Sequence, residues 1–181
     1  MRTTLLSATA LAVAALALSP LAPASAAAID ATDPADLGHG VDLRAVRVEH
    51  KARNIVVTTT HTNLRKTWRS GSSGSVFLDT DPTDPGPEYV FASGYFDGTD
   101  YQLLSVDGFA VRKWGKPVEG SYRLRIDYDR EQVRMRVARA ALGSPEQVRV
   151  AVHVAGTRSD GSNAGTDWLG EPRSFTDWVA R

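Results

Sequence analysis

The residues best suited to chemistry in this 181-residue chain lie in one acidic turn, residues 79–88 (DTDPTDPGPE). Its carboxylates are Asp79, Asp81, Asp84 and Glu88. Residues two apart at the end of an extended strand point to the same face, so Asp79 and Asp81 should lie side by side. A calcium ion takes about six to eight oxygen ligands, which a proline-stiffened acidic loop can supply. The turn therefore predicts a structural Ca²⁺ site, against the alternative of an ordinary turn whose carboxylates are solvated or paired with arginine.

Catalysis has weaker support than metal binding. A glycosidase needs two carboxylates on opposite sides of the scissile bond, and Asp81 with Glu88 is the pair we would nominate. No serine stands in a Gly-x-Ser-x-Gly motif, and no histidine has a second histidine at metal-ligand spacing. We therefore assign no catalytic residue and rank a small hydrolase third among the functions considered. The histidines, which we interpret as ordinary surface or edge residues, are His39, His50, His61 and His153.

Four aromatic residues are candidates for ligand binding: Trp68, Trp114, Trp168 and Tyr95. Each lies in or next to a segment rich in glycine or charged residues. Sugar-binding modules expose such rings because the C–H face of a pyranose stacks on a π surface. The alternative is that these rings seal the end of a barrel or sandwich. If the protein binds carbohydrate, we expect at least one of the three tryptophans to be exposed beside a groove.

The elements that must position these residues are strands, because the dominant pattern is alternation of apolar and polar residues. It predicts about eight short strands with turns between them, and hence an antiparallel, jelly-roll-like β-sandwich. One helical turn is expected at 139–142, closed by Gly143. Residues 155–174 are predicted to be a long loop, either functional or disordered. The predicted strands cover residues 46–49, 55–61, 76–78, 89–92, 101–106, 122–128, 133–137 and 148–154.

The N-terminal 26 residues have the pattern of a cleaved secretory signal peptide. Arg2 precedes an apolar run of about 14 residues, which is too short to span a bilayer, and Ala24-Ser25-Ala26 is a small-x-small cleavage signal. Residues 27–40 are polar and without period, and are predicted to be a flexible linker. Residues 41–181 should then form a single domain that is secreted and not membrane-bound after processing.

The composition excludes several classes of function. Twenty-one basic residues balance 21 acidic ones, so there is no electrostatic case for binding nucleic acid or an anionic membrane. The absence of cysteine excludes disulfides, thiol catalysis and thiolate metal sites. Stability should therefore come from burial and backbone pairing, with a bound cation as a further contribution. We expect a monomer.

Two blocks of sequence resemble a known family. The first is Asp79-Thr80-Asp81 with its Pro/Gly-rich crossover and Glu88-Tyr89-Val90-Phe91, and the second is the segment 137–143 (VARAALG). Together they resemble family 9 carbohydrate-binding modules and DOMON-like domains, and also secreted actinobacterial proteins that carry the same blocks. Ala138 stands where that family usually has proline, and its paired tryptophans have no fixed counterparts here. The resemblance implies a β-sandwich, often with a structural calcium, that binds a ligand and does not catalyse.

The sequence thus favours a secreted, non-catalytic binding module whose ligand is a carbohydrate or another cell-envelope component. An alternative is a protein-interaction or inhibitor domain that uses the 155–174 loop. An exposed aromatic groove would favour the first function, and a protruding loop with a flat apolar rim would favour the second.

Overall fold

Two antiparallel sheets pack face to face in the computed structural model, which describes residues 27–37, 42–157 and 163–181. The protein is therefore the all-β antiparallel sandwich that the alternating pattern predicts. The predicted signal peptide, residues 1–26, lies outside the described residues.

The strands and short helices have the following bounds. In spatial order, the five-stranded sheet contains β1 (Ala27–Thr32), β2 (Asp42–His50), β3 (Asn54–Thr62), β9 (Gln132–Ala138) and β8 (Tyr122–Asp127). The seven-stranded sheet contains β11 (Asn163–Trp168), β10 (Gln147–Thr157), β4 (Ser73–Asp79), β5 (Tyr89–Gly94), β6 (Tyr101–Val106) and β7 (Trp114–Pro117), with β12 (Val179–Ala180) paired to β10. Short 3-10 helices span Trp68–Ser70, Val111–Lys113 and Arg139–Leu142.

The main core lies between the two sheets, and the alternation of side chains produces it. On β9, Val133 and Met135 are buried in the core, while the intervening Arg134 is exposed. On β10, Val150 and Val152 are fully buried in the same core. Each sheet therefore presents an apolar face to the other, and the outer face of β9 is polar, as alternation in an antiparallel sandwich predicts.

Three expectations about the strands need correction. The predicted flexible linker, residues 27–40, contains β1, whose six residues pair with β2. The predicted loop at 155–174 is in part strand, because β10 continues to Thr157 and β11 pairs with it. The described residues contain twelve strands and not about eight. The added strands β1, β7, β11 and β12 are held by backbone pairing at sheet margins, where alternation of apolar residues is weak.

The predicted helical turn is confirmed as the 3-10 helix Arg139–Leu142. Gly143 ends it in the left-handed region at φ 73°, and the Ser144 amide donates to the Arg139 carbonyl at 2.8 Å. Arg139 is itself buried, and its guanidinium donates to the Ala52 carbonyl at 3.2 Å. The turn therefore ties β9 to the β2–β3 connection.

Candidate functional site

The first acidic residue of the turn, Asp79, pairs with arginine. Its carboxylate is fully buried, and Oδ2 accepts from Nε and Nη2 of Arg149 at 2.8 and 2.6 Å. The guanidinium also lies over the rings of Phe175 and Trp178, at 4.7 and 4.6 Å from their centroids. Asp79 therefore positions Arg149 of β10, on which the C-terminal rings pack. The other carboxylate oxygen, Oδ1, has no hydrogen-bond partner.

Two of the other three carboxylates of the turn accept hydrogen bonds from their own loop. Asp81 is exposed, and its pKa is lowered by hydrogen bonds from the Thr83 hydroxyl and amide. Glu88 accepts from the Thr80 amide and hydroxyl at 2.6 and 2.9 Å, while burial raises the pKa of Glu88. Asp84 is exposed.

The carboxylates of the acidic turn do not gather around one point. Within residues 27–37, 42–157 and 163–181, the turn does not bring three of its carboxylates close enough to share one ion. Asp81 and Glu88 likewise each make hydrogen bonds within the turn, so the arrangement resembles the ordinary turn more than either the calcium site or a glycosidase pair.

Tyr95, which was predicted to bind a ligand, lies inside the core. Its side chain is fully buried in the main core, where its ring lies 5.2 Å from that of His61. It fits there because Gly74 has no side chain: a Cβ at that position would stand 1.8 Å from the Tyr95 hydroxyl oxygen. The ring therefore closes the core and is not available to a ligand.

Trp114 and Trp168 lie on the outer face of the seven-stranded sheet. Both contact Phe77, with Trp168 stacked on it at an interplanar angle of 13° and Trp114 edge-on. Phe109 and Phe175 complete the group, which we call the aromatic cluster. Both tryptophans are half-buried, so the rings mostly cover one another. The cluster fits the sealing role better than a flat sugar platform.

Trp68 is the exposed tryptophan, with 69% of its surface open to solvent. It begins the 3-10 helix Trp68–Ser70, and the Arg69 guanidinium lies 5.4 Å from its ring centroid. The three tryptophans predicted to bind ligand are therefore divided between this exposed position and the aromatic cluster.

Two of the histidines interpreted as surface or edge residues are core residues. His50 and His61 are 0% and 2% exposed. Burial lowers the pKa of His61 to about 3, and its Nε2 lies 2.6 Å from the Thr59 hydroxyl. Burial likewise lowers the pKa of His50 and of His153, whose ring packs on Trp168. His39 lies outside the described residues.

Four arginines lie together on the outer face of the five-stranded sheet. In the β8–β9 register, Arg123 is opposite Arg136 and Arg125 is opposite Arg134, and all four are exposed. Directly opposite residues of antiparallel strands lie about 5 Å apart, and residues i and i+2 about 7 Å apart. The side chains thus leave the corners of a small rectangle and line a depression of about 340 Å³. We call these four residues the arginine face.

Most of this charge is uncompensated. Arg134 lies 3.8 Å from Glu49, whose carboxylate also pairs with Lys51 at 2.9 Å. The other three arginines of the face have no carboxylate partner among the described residues. Like charges directly opposite each other on a sheet are destabilising, so this arrangement costs the fold stability.

Sequence reasoning recognised these arginines only as the polar face of two strands. A usable signal was present, because a short turn joins β8 to β9 and so places their outward residues opposite one another.

Comparison with known proteins adds no relative: no protein-family model matches this chain, and a search of curated proteins found no match either. The resemblance to family 9 carbohydrate-binding modules therefore stays a prediction. In the described ranges, no helix has the length and apolar character needed to cross a membrane.

Proposed function

We propose that this protein is a secreted, non-catalytic binding module for an anionic glycan of a cell envelope, and that the arginine face is its binding surface. The observation that carries the proposal is that two pairs of arginines lie directly opposite each other on adjacent strands, Arg123 with Arg136 and Arg125 with Arg134. Export rests on the signal peptide predicted from residues 1–26. The proposal narrows the expected carbohydrate or cell-envelope ligand to polymers that bear carboxylate or phosphate groups.

Guanidinium chemistry supports an anionic ligand. Arginine presents its N–H donors in a planar fork that matches a carboxylate or a phosphate, and such charge-assisted hydrogen bonds are stronger than neutral ones. Four forks on a rectangle of about 5 by 7 Å can contact successive anionic groups of a polymer. A bound anion also removes the repulsion between the opposed arginines, so binding offsets a cost already present in the free protein.

Two features favour a glycan over a nucleic acid. The whole chain has a formal net charge of zero, whereas nucleic-acid-binding domains are commonly basic overall. Single-stranded nucleic acids are also held by aromatic rings on which bases stack. The neighbours of the arginine face on β3 are instead Val56, opposite Arg136, and Thr58, opposite Arg134.

The test is a binding titration with polygalacturonate, a carboxylate polymer, against neutral dextran. We expect polygalacturonate to bind, with an affinity that falls as salt is added, and dextran not to bind. The double variant Arg125→Gln/Arg134→Gln removes one arginine from each strand. At about 1 kcal/mol for each exposed contact, its affinity should fall about thirtyfold.

A matched control is the double variant Arg65→Gln/Arg112→Gln, which makes the same change of charge at exposed positions away from the arginine face. It should bind within about twofold of wild type, since its arginine face is intact. Equal losses of affinity in the two double variants would mean that binding depends on net charge alone, which would contradict the proposed binding surface. Tighter binding of single-stranded DNA than of polygalacturonate would mean that the ligand is a nucleic acid and not a glycan. Preferential binding of dextran would mean that the tryptophans, and not the arginine face, form the binding site.

A further inference from the structure

We propose that Asp33, Asp36 and Asp167 bind one calcium ion, which joins the N-terminal strand to the margin of the opposite sheet. Each residue offers a carboxylate oxygen, and these oxygens all lie within 4.8 Å of one another. The site is distinct from the acidic turn and independent of the arginine face.

The distances suit calcium. Three oxygens that lie at most 4.8 Å apart can all be within about 2.8 Å of a common centre. Calcium–oxygen distances are about 2.3–2.6 Å, so a contraction of a few tenths of an ångström completes the contacts, whereas Mg²⁺ at about 2.0–2.1 Å needs a much larger one. Backbone carbonyls and water can supply the remaining ligands that calcium takes.

Asp33 provides the independent indication of a ligand. Its side chain is 5% exposed; Oδ1 accepts from the Gly170 amide at 2.6 Å, but Oδ2 is buried and has no hydrogen-bond partner. A buried carboxylate oxygen without a partner is costly unless a cation or donor compensates it.

Asp167 shows the same excess of negative charge. It is 6% exposed, its Oδ2 accepts from the Leu43 amide at 2.7 Å, and its carboxylate lies within 4.8 Å of those of Asp33 and Asp36. The cationic neighbour Arg44 is paired with Asp42 at 3.2 Å, and among the described residues Asp33, Asp36 and Asp167 have no ion-pair partner. The cluster therefore holds more carboxylates than its cationic neighbour can neutralise.

The location gives the ion a structural role. Asp33 and Asp36 follow β1, which is an edge strand of the five-stranded sheet, and Asp167 lies on β11, which is an edge strand of the other sheet. Hydrogen bonds already cross between the sheets here, from Gly170 to Asp33 and from Leu43 to Asp167. A calcium ion shared by the three carboxylates would strengthen this connection between the two sheets and hold β1 on β2.

The experiment compares thermal unfolding of the mature protein in chelator, in MgCl₂ and in CaCl₂ up to about 10 mM, roughly ten times the weakest dissociation constant typical of extracellular calcium modules. Calcium should raise Tm by about 3–10 °C, and magnesium should raise it much less. Tb³⁺, a calcium substitute, gives a direct readout. Its luminescence should be sensitised by Trp168, the residue next to Asp167, and quenched by added calcium.

The variant Asp36→Asn separates a ligand from a merely structural residue, because Asp36 is exposed and its replacement leaves the core intact. In chelator the variant should be at least as stable as wild type, since repulsion is relieved. In calcium it should be less stable than wild type, because it has lost a ligand of the ion. The control Asp84→Asn, in the acidic turn, should keep the full calcium response. No calcium-dependent shift of Tm in the wild type, or a shift that survives in Asp36→Asn and is lost in Asp84→Asn, would overturn the proposal.

Discussion

The buried His61 makes stability depend on pH in a way that one substitution can isolate. The imidazole is 2% exposed, and burial lowers its pKa from 6.5 to about 3, although the Asp42 carboxylate opposes the shift. Because the folded-state pKa is the lower one, the folded protein keeps the ring neutral while the unfolded chain protonates it below about pH 6.5. Stability from this group is therefore complete above that pH and is lost progressively as pH falls toward 3.

The size of the effect follows from the two pKa values. Between pH 7 and pH 5 the unfolded chain takes up about 0.7 of a proton that the folded protein does not, which lowers the free energy of unfolding by about 2 kcal/mol. The variant His61→Gln lacks this term. Its absolute stability will differ because Thr59 loses its ring partner, so the pH dependence and not the absolute value is the quantity to compare.

The assay is urea unfolding of wild type and His61→Gln, followed by tryptophan fluorescence at pH 7, 6 and 5. His50 and His153, whose pKa values are also lowered by burial, are present in both proteins, so their contributions cancel in the difference. The wild type should lose about 2 kcal/mol more than the variant over this range. Parallel curves would mean that His61 is not held neutral in the core, and the description of this part of the sandwich would be wrong.

Three further predictions concern stability and use the same unfolding assay at pH 7. Gly74→Ala should cost about 1–3 kcal/mol, because its Cβ would overlap the Tyr95 hydroxyl; unchanged stability would show that Tyr95 does not fill that space. Asp79→Asn should cost about 2 kcal/mol, since it leaves Arg149 without its buried carboxylate, and a cost near zero would refute the structural role of that pair. Arg125→Gln/Arg134→Gln should be as stable as wild type or up to about 1 kcal/mol more stable, because opposed like charges are removed; a large loss would mean that these arginines serve the fold.

The β-sandwich could be predicted from the sequence alone because apolar and polar residues alternate along its central strands. The alternation at 122–128 and 133–137 predicted β8 and β9 to within about one residue at each end. The strands that it missed are β1, β7, β11 and β12, at the margins of the sheets. β1 is rich in alanine, and β7 contains Gly115 and Pro117, so their strand structure depends on a paired neighbour and not on local preference.

The surroundings of the candidate site residues were harder to predict from the sequence, because they depend on contacts between residues far apart in the chain. The burial of Tyr95 requires the space left by Gly74, 21 positions earlier, and Asp79 is occupied by Arg149 from β10. The cluster of Asp33, Asp36 and Asp167 joins residues more than 130 positions apart. Residue types and spacing alone do not reveal such pairings. The arginine face was closer to prediction, because a single hairpin forms it.

The central claim is that the outer face of β8 and β9 binds an anionic glycan, and amide chemical-shift mapping tests it most directly. The measurement titrates isotopically labelled mature protein with a short oligogalacturonate. We predict that the shift changes concentrate on β8, β9 and the adjacent positions of β3, and that they shrink as salt is added. Shift changes centred on the aromatic cluster or on Trp68, or no saturable change at low salt, would contradict the account.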